Sequence, residues 1–168
     1  NTVNEIIITG DETIAITVSS DGCFCVVNLV KKVLVKSIIA HEEGINSIAL
    51  SRDEELFATA VKDKIIRIWN LKKTNLHSTL GGWFGGHNKE ISSLKFGSES
   101  EFIITGSADQ TLRLWDMRRK REIFKYGIYG DKILTIDCDI TGNFIASAGL
   151  ERYIKIINIG TEKLEKSL

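Results

Sequence analysis

The chain has 168 residues, and its 22 Lys plus Arg balance 22 Asp plus Glu, so the formal net charge is zero. Whole-molecule attraction to nucleic acid or to an acidic membrane surface needs a basic surplus, which this balance removes while leaving room for a local patch. Hydrophobic residues at 43% and charged residues at 26% describe a globular protein that can bury roughly 70% of its unfolded surface.

No apolar run approaches the roughly 18 residues of a membrane span, so no membrane association is expected. Three cysteines are odd in number and too few for a disulfide framework, which points to an intracellular, cytoplasmic or nuclear setting. The opening NTVNE has neither an initiator Met nor the apolar core of a signal peptide, and reads as the start of a trimmed segment. Proline is absent, so Gly, Asn and Asp must make the turns.

In chain order, four segments repeat one another. IAITVSSDGCFCVVNL (14–29) is followed 42 residues later by LFATAVKDKIIRIWNL (56–71). FIITGSADQTLRLWDM (102–117) follows 46 residues after that, and FIASAGLERYIKIINI (144–159) a further 42. Asp21, Asp63, Asp109 and Glu151 share one repeat position; Val27, Trp69, Trp115 and Ile157 share another. Four such units fill the chain, with approximate boundaries 1–40, 41–81, 82–128 and 129–168.

Within each unit the apolar period is two. In TLRLWD, Leu112 and Leu114 alternate with Thr111, Arg113 and Trp115. The third unit divides into EISSLKF, EFIITGS, TLRLWDM and EIFKYG, four short strands separated by SES, ADQ and RRK. LEKSL at the end falls in register as the fourth strand of the last unit. The expected fold class is all-β, built from four four-stranded antiparallel units.

Gly86–His87, Asp109 and Trp115–Asp116 resemble the signature of the WD-repeat (WD40) β-propeller family, and Ala40–His41, Asp63 and Trp69–Asn70 repeat it in weaker form. The resemblance implies that each unit is one blade. Propellers of this family usually carry about seven blades, so these four are expected to belong to a larger ring, completed by the same longer chain or by a partner.

His41, Thr59, Asp63 and Trp69 in unit two, and His87, Thr105, Asp109 and Trp115 in unit three, place a histidine, a hydroxyl and a carboxylate at fixed spacing. Such a set can be read as a nucleophilic triad. Its recurrence at one register favours a structural role instead, and the family resemblance implies a hydrogen-bonded tetrad running Asp to His to Thr to indole. Unit one keeps Thr17 and Asp21. Unit four keeps Ser147, with Glu151 for Asp and Tyr129 at the His register, and its tetrad is expected to be lost.

Cys23 and Cys25 would face one side of a strand, but no second ligand pair lies near them in sequence, so they are read as buried small hydrophobes and no metal is expected. GGWFGGH (81–87) lacks the spacing of a phosphate loop. It is an insertion: Trp69 to His87 spans 18 residues, whereas Val27 to His41 and Trp115 to Tyr129 each span 14. Trp83 and Phe84 in this insertion either tuck under the loop or anchor a partner. Arg118, Arg119, Lys120 and Arg121 form a cationic run, either a solvated loop or a contact for phosphates or an acidic partner. His77 falls in an outer strand as a surface residue.

No catalytic constellation, metal cluster or cofactor loop emerges, so the expected function is a non-catalytic scaffold for protein–protein interactions in a multiprotein complex. The resemblance implies that proteins or peptides bind the face carrying the d–a and b–c turns. There the chain offers Glu42, Gly44, Lys62, Asn88, Glu90, Ala108, Lys132 and Leu150. Two alternatives stay open: a subunit of a nucleoprotein assembly such as ribosome biogenesis or chromatin, with nucleic-acid contacts, and the propeller part of a larger enzyme.

Overall fold

The computed structural model describes residues 2–82, 85–98, 100–127, 130–139 and 141–168. Among the described residues sixteen strands form four antiparallel four-stranded sheets, each ordered as it runs in the chain. The first sheet holds β1 (Val3–Ile8), β2 (Ile14–Ser19), β3 (Cys23–Asn28) and β4 (Val33–Ile39). The second holds β5 (Ile45–Leu50), β6 (Leu56–Val61), β7 (Ile65–Asn70) and β8 (Asn75–Gly81). In the third lie β9 (Ile91–Phe96), β10 (Phe102–Ser107), β11 (Leu112–Asp116) and β12 (Arg121–Tyr126). The fourth comprises β13 (Ile133–Cys138), β14 (Phe144–Gly149), β15 (Ile154–Asn158) and β16 (Lys163–Ser167). LEKSL thus lies in the last outer strand and its end.

The four sheets share one register. Val27 pairs with Ala15, Trp69 with Phe57, Trp115 with Ile103 and Ile157 with Ile145. Just before each of these residues the pairing with the outer strand slips by one, at Val26/Val27, Ile68/Trp69, Leu114/Trp115 and Ile156/Ile157. A bulge recurring at the same place re-aims the residue beside it, and in the last three sheets that residue, Trp69, Trp115 or Ile157, is buried in the core against the preceding sheet.

Strand alternation gives each sheet two apolar faces, and the faces cover one another. Innermost strands β1, β5, β9 and β13 lie side by side in series. Between the first two sheets, Ile16, Val18 and Phe24 meet Ile48, Phe57 and Trp69. Phe24 stands edge-on to Phe57 and to Trp69, at centroid distances of 5.0 and 4.9 Å. The second core joins Ile66, Ile68 and Leu80 to Leu94, Ile103 and Trp115. The third joins Ile104, Leu112 and Leu114 to Ile136, Ile145 and Ile157. Burying one such side chain contributes about 1.5–3 kcal/mol by transfer from water. Among the described residues no helix is long and apolar enough to cross a membrane.

One expectation fails in degree. Cys23 and Cys25 are half-buried, not buried as small hydrophobes, and both are free thiols, as is Cys138. Cys23 and Cys25 lie on the face of the first sheet that no other described sheet covers, which explains their residual exposure; Cys25 Sγ donates to Ser37 Oγ at 3.4 Å.

Both end faces of the stack are open. Ile6 and Ile8 on β1 are 58% and 49% exposed, and Phe144 and Ile154 on the fourth sheet 41% and 48%. Exposed apolar faces of this kind drive association. Residues 1–168 expressed alone should therefore self-associate in light scattering, and I6K combined with I154K should reduce that association. A sharp monomer for the unaltered segment would mean that these faces need no cover.

Candidate functional site

The His, Thr, Asp and Trp of the second and third units come together in two matching networks. Trp69 Nε1 donates to Thr59 Oγ1 at 3.0 Å, and Thr59 Oγ1 lies 2.8 Å from His41 Nε2. His41 Nδ1 lies 3.1 Å from Asp63 Oδ2. The third sheet repeats the path: Trp115 Nε1 to Thr105 Oγ1 at 2.8 Å, Thr105 Oγ1 to His87 Nε2 at 2.7 Å, and His87 Nδ1 to Asp109 Oδ2 at 3.0 Å. A neutral imidazole with its proton on Nδ1 satisfies each link, since the threonine hydroxyl then donates to Nε2 while accepting from the indole.

Local structure holds the carboxylates. Each aspartate opens the turn between the second and third strands and accepts the N–H two residues on, Ile65 at 3.0 Å and Thr111 at 3.1 Å. Asp109 also accepts from Asn88 N at 2.8 Å and Thr111 Oγ1 at 2.6 Å, which ties that turn to the entry of its own sheet. Burial would raise both carboxyls. The hydrogen bonds outweigh it: His41, Arg67 and the Ile65 N–H bring Asp63 down to about 2, and His87, Thr111 and the Asn88 N–H hold Asp109 lower still. Burial lowers both histidines, and the neighbouring aspartates only partly offset it.

The networks extend further than the sequence reading placed them. Arg67 Nη1 donates to Asp63 Oδ2 at 2.5 Å and lies against His41 Nδ1. Buried Arg113 reaches Asp109 at 3.6 Å, Thr111 Oγ1 at 3.3 Å and the carboxylate of Glu122. Both arginines sit two residues before the tryptophan, and that shared spacing was the available signal. In the fourth sheet, Lys155 occupies the same register and pairs with Glu151. Ser147 Oγ donates there to the Lys155 carbonyl at 3.3 Å. Tyr129 lies outside the described residues.

Chemically, these groups are poor candidates for catalysis. The His41 and His87 side chains are fully buried and both ring nitrogens of each are engaged. The threonine hydroxyls are buried as well, so no substrate atom could reach them. Among the described residues no three His, Cys, Asp or Glu side chains group as a metal site.

The proposed partner-facing residues lie at one end of the sheets, in the turns before the first strands and between second and third strands. Glu42, Lys62 and Asn88 are exposed, whereas Glu90 and Lys132 are half-buried. Glu90 O accepts from Ala108 N at 3.0 Å, and Lys132 O from Leu150 N at 3.2 Å. At this end a cavity of about 480 Å³ opens between the second and third sheets, lined by Asp63, Lys64, Ile65, Gly86, His87 and Asn88 among others. Among the described residues, Asn88 alone of those singled out for partners lines it; Lys64 and Ile65 were missed. Trp83 and Phe84 lie outside the described residues. Arg118–Arg121 sit at the opposite end, where Arg118 meets Glu101 at 2.6 Å and Arg119 meets Asp116 at 3.8 Å.

Stacked four-stranded blades, pinned from strand to turn by an indole–hydroxyl–imidazole–carboxylate path, define a propeller-type repeat protein. The family model described as WD domain, G-beta repeat matches residues 32–70 and 78–116, which gives the chain WD repeats at two positions. Over 41 residues it is 46% identical to U3 small nucleolar RNA-associated protein 13 of Saccharomyces cerevisiae. That match covers 24% of this chain and 5% of the yeast protein, so only a small part of that relative is spanned.

Two predictions follow from the geometry. Asp109 is 5% exposed at its side chain and Asp63 23%, so D109A strands His87 and Arg113 in a drier place. D109A should cost about 3 kcal/mol and D63A nearer 1–2 kcal/mol in urea denaturation. Equal, negligible losses would remove the stabilising role.

The second concerns pH. Histidines lowered by burial bind fewer protons folded than unfolded, so their contribution is complete above about pH 6.5 and is lost as pH falls below it. The lowered aspartates contribute fully above about pH 4 and lose that contribution as pH drops toward 2. Thermal midpoints should fall on acidification in both windows, and H41N with H87N should flatten the upper one. A midpoint constant from pH 7.5 to 5 contradicts this.

Proposed function

We propose that this chain is a non-catalytic WD-repeat scaffold that joins proteins or peptides within a multiprotein assembly, its blades bounded near residues 40, 81 and 128. One contrast carries the reading. The imidazoles and threonine hydroxyls are buried in the blades, while the turns at one end expose Glu42, Lys62 and Asn88, and Asn88 borders a cavity there. Mixed charges over a shallow concavity suit a protein surface better than a small substrate. Trp83 and Phe84 join this site on sequence grounds, as aromatic anchors in an insertion that folding does not require. On this reading further blades, from the same longer chain or a partner, cover the open end faces and complete a larger ring of about seven.

A second reading, that the assembly is a nucleoprotein one and its setting nuclear, draws support from the yeast relative's name and from the Arg118–Arg121 run. Both readings need no cofactor.

Affinity capture from the full-length chain tests the scaffold reading. W83A with F84A, and separately E42K with K62E, should each deplete the same set of captured proteins while changing stability by less than about 1 kcal/mol, as surface substitutions do. An unchanged set with both variants would withdraw this face as the docking site.

A further inference from the structure

Zero net charge conceals a segregation of charge at the other end of the blades. Strand direction alternates, so the turns β3–β4, β7–β8, β11–β12 and β15–β16 open at the same end as the turns between first and second strands. They also lie outermost, because β4, β8, β12 and β16 are the outer strands.

These four outer turns are built alike. A side chain at the end of the third strand accepts the N–H three residues on: Asn28 from Lys31 at 2.7 Å, Asn70 from Lys73 at 2.8 Å, Asp116 from Arg119 at 2.7 Å, and Asn158 from Thr161 at 3.0 Å. The next residue is left-handed in every case, with φ of 54° at Lys32, 51° at Thr74, 52° at Lys120 and 56° at Glu162. That conformation favours Gly or Asn, so backbone geometry does not account for lysine there.

What recurs in the first three turns is exposed positive charge: Lys31 and Lys32, then Lys72 and Lys73, then Arg118 through Arg121. The inner turns of the same end are acidic, with Asp11, Glu12, Asp53 and Glu55 exposed, so the surplus of positive charge is confined to the outer turns, while the aspartates are held by their own turns. Asp11 accepts from Thr9 Oγ1 at 2.6 Å and Asp53 from Ser51 Oγ at 2.6 Å. Of the outer cations, Arg118 and Arg119 have carboxylate partners. Among the described residues none lies within 4.0 Å of Lys31, Lys32, Lys72, Lys73, Lys120 or Arg121.

We propose that the outer turns of the first three blades form one basic rim that binds the sugar–phosphate backbone of a nucleic acid without reading its sequence. Cations held on rigid, repeating turns match a ligand whose charge also repeats. The outer turns carry no aromatic residue to stack a base or to anchor a protein hot spot, which favours a backbone contact over both. The proposal rests on the nucleoprotein reading and deepens it, since Arg118–Arg121 become one third of a surface that includes Lys31, Lys32, Lys72 and Lys73.

The test measures binding of a mixed-sequence single-stranded RNA by the full-length protein across a salt series. Comparison variants are K31E/K72E/K73E, R118E/R119E, and the exposed-strand control K36E/K125E, each checked by circular dichroism and thermal midpoint. K31E/K72E/K73E should weaken binding roughly tenfold or more and flatten the log–log salt slope by about 2, the share of three phosphate contacts, with the control unchanged. If only R118E/R119E weakens binding, the rim is wrong and the nucleoprotein reading stands. If the unaltered protein fails to bind RNA at low salt, both fall. Equal competition by polyglutamate at matched charge would overturn the nucleic-acid assignment in favour of an acidic protein.

Discussion

A four-stranded sheet with alternating apolar residues has two faces to hide, and here only another sheet of the same kind hides them. Every other feature answers to that constraint. The bulge before Trp69 and Trp115 turns a large ring toward the preceding sheet, where it joins the core with Phe24, or with Ile68 and Leu80. The same indole keeps one polar atom, which must be paired inside a dry interface, and the threonine hydroxyl of its own sheet pairs it. The histidine and aspartate then complete the path outward to a turn. Packing between blades and hydrogen bonding within a blade therefore meet in one side chain.

The repeat was readable from the residues because its marks are spaced by covalent chain length: Asp63 and Asp109, or Trp69 and Trp115, must recur if the strands do. Strand positions followed from period-two alternation to within a residue, as in TLRLWDM against β11. The bulges were not readable, since a one-residue slip depends on pairing with a strand elsewhere and leaves no composition behind. Arg67 and Arg113 were overlooked for a different reason. An arginine in a strand looks solvent-facing until its carboxylate partners are placed around it, and Glu122 comes from a neighbouring strand that no local pattern connects to it.

The site divides along the same line. Residues of the tetrads are fixed by backbone position and lie where sequence spacing puts them. The surface residues depend on how neighbouring turns approach, so Lys64 and Ile65, unremarkable in sequence, line the cavity that Glu42 and Lys62 do not. Functional roles at such surfaces come from shape and charge shared between repeats, and a fold used this widely fixes neither.

The three interfaces are not equal. The first holds a trio of aromatic rings and the second a buried tryptophan, whereas the third has Ile157 where a tryptophan stands in the two central sheets, and an ion pair, Glu151 with Lys155, in place of the imidazole path. A linear array whose couplings differ does not come apart as one body; it opens from its weakest joint. Amide protection should accordingly form a gradient along the chain. Of the three joints between the described sheets, the one between the third and fourth lacks both a buried tryptophan and an imidazole path beside it.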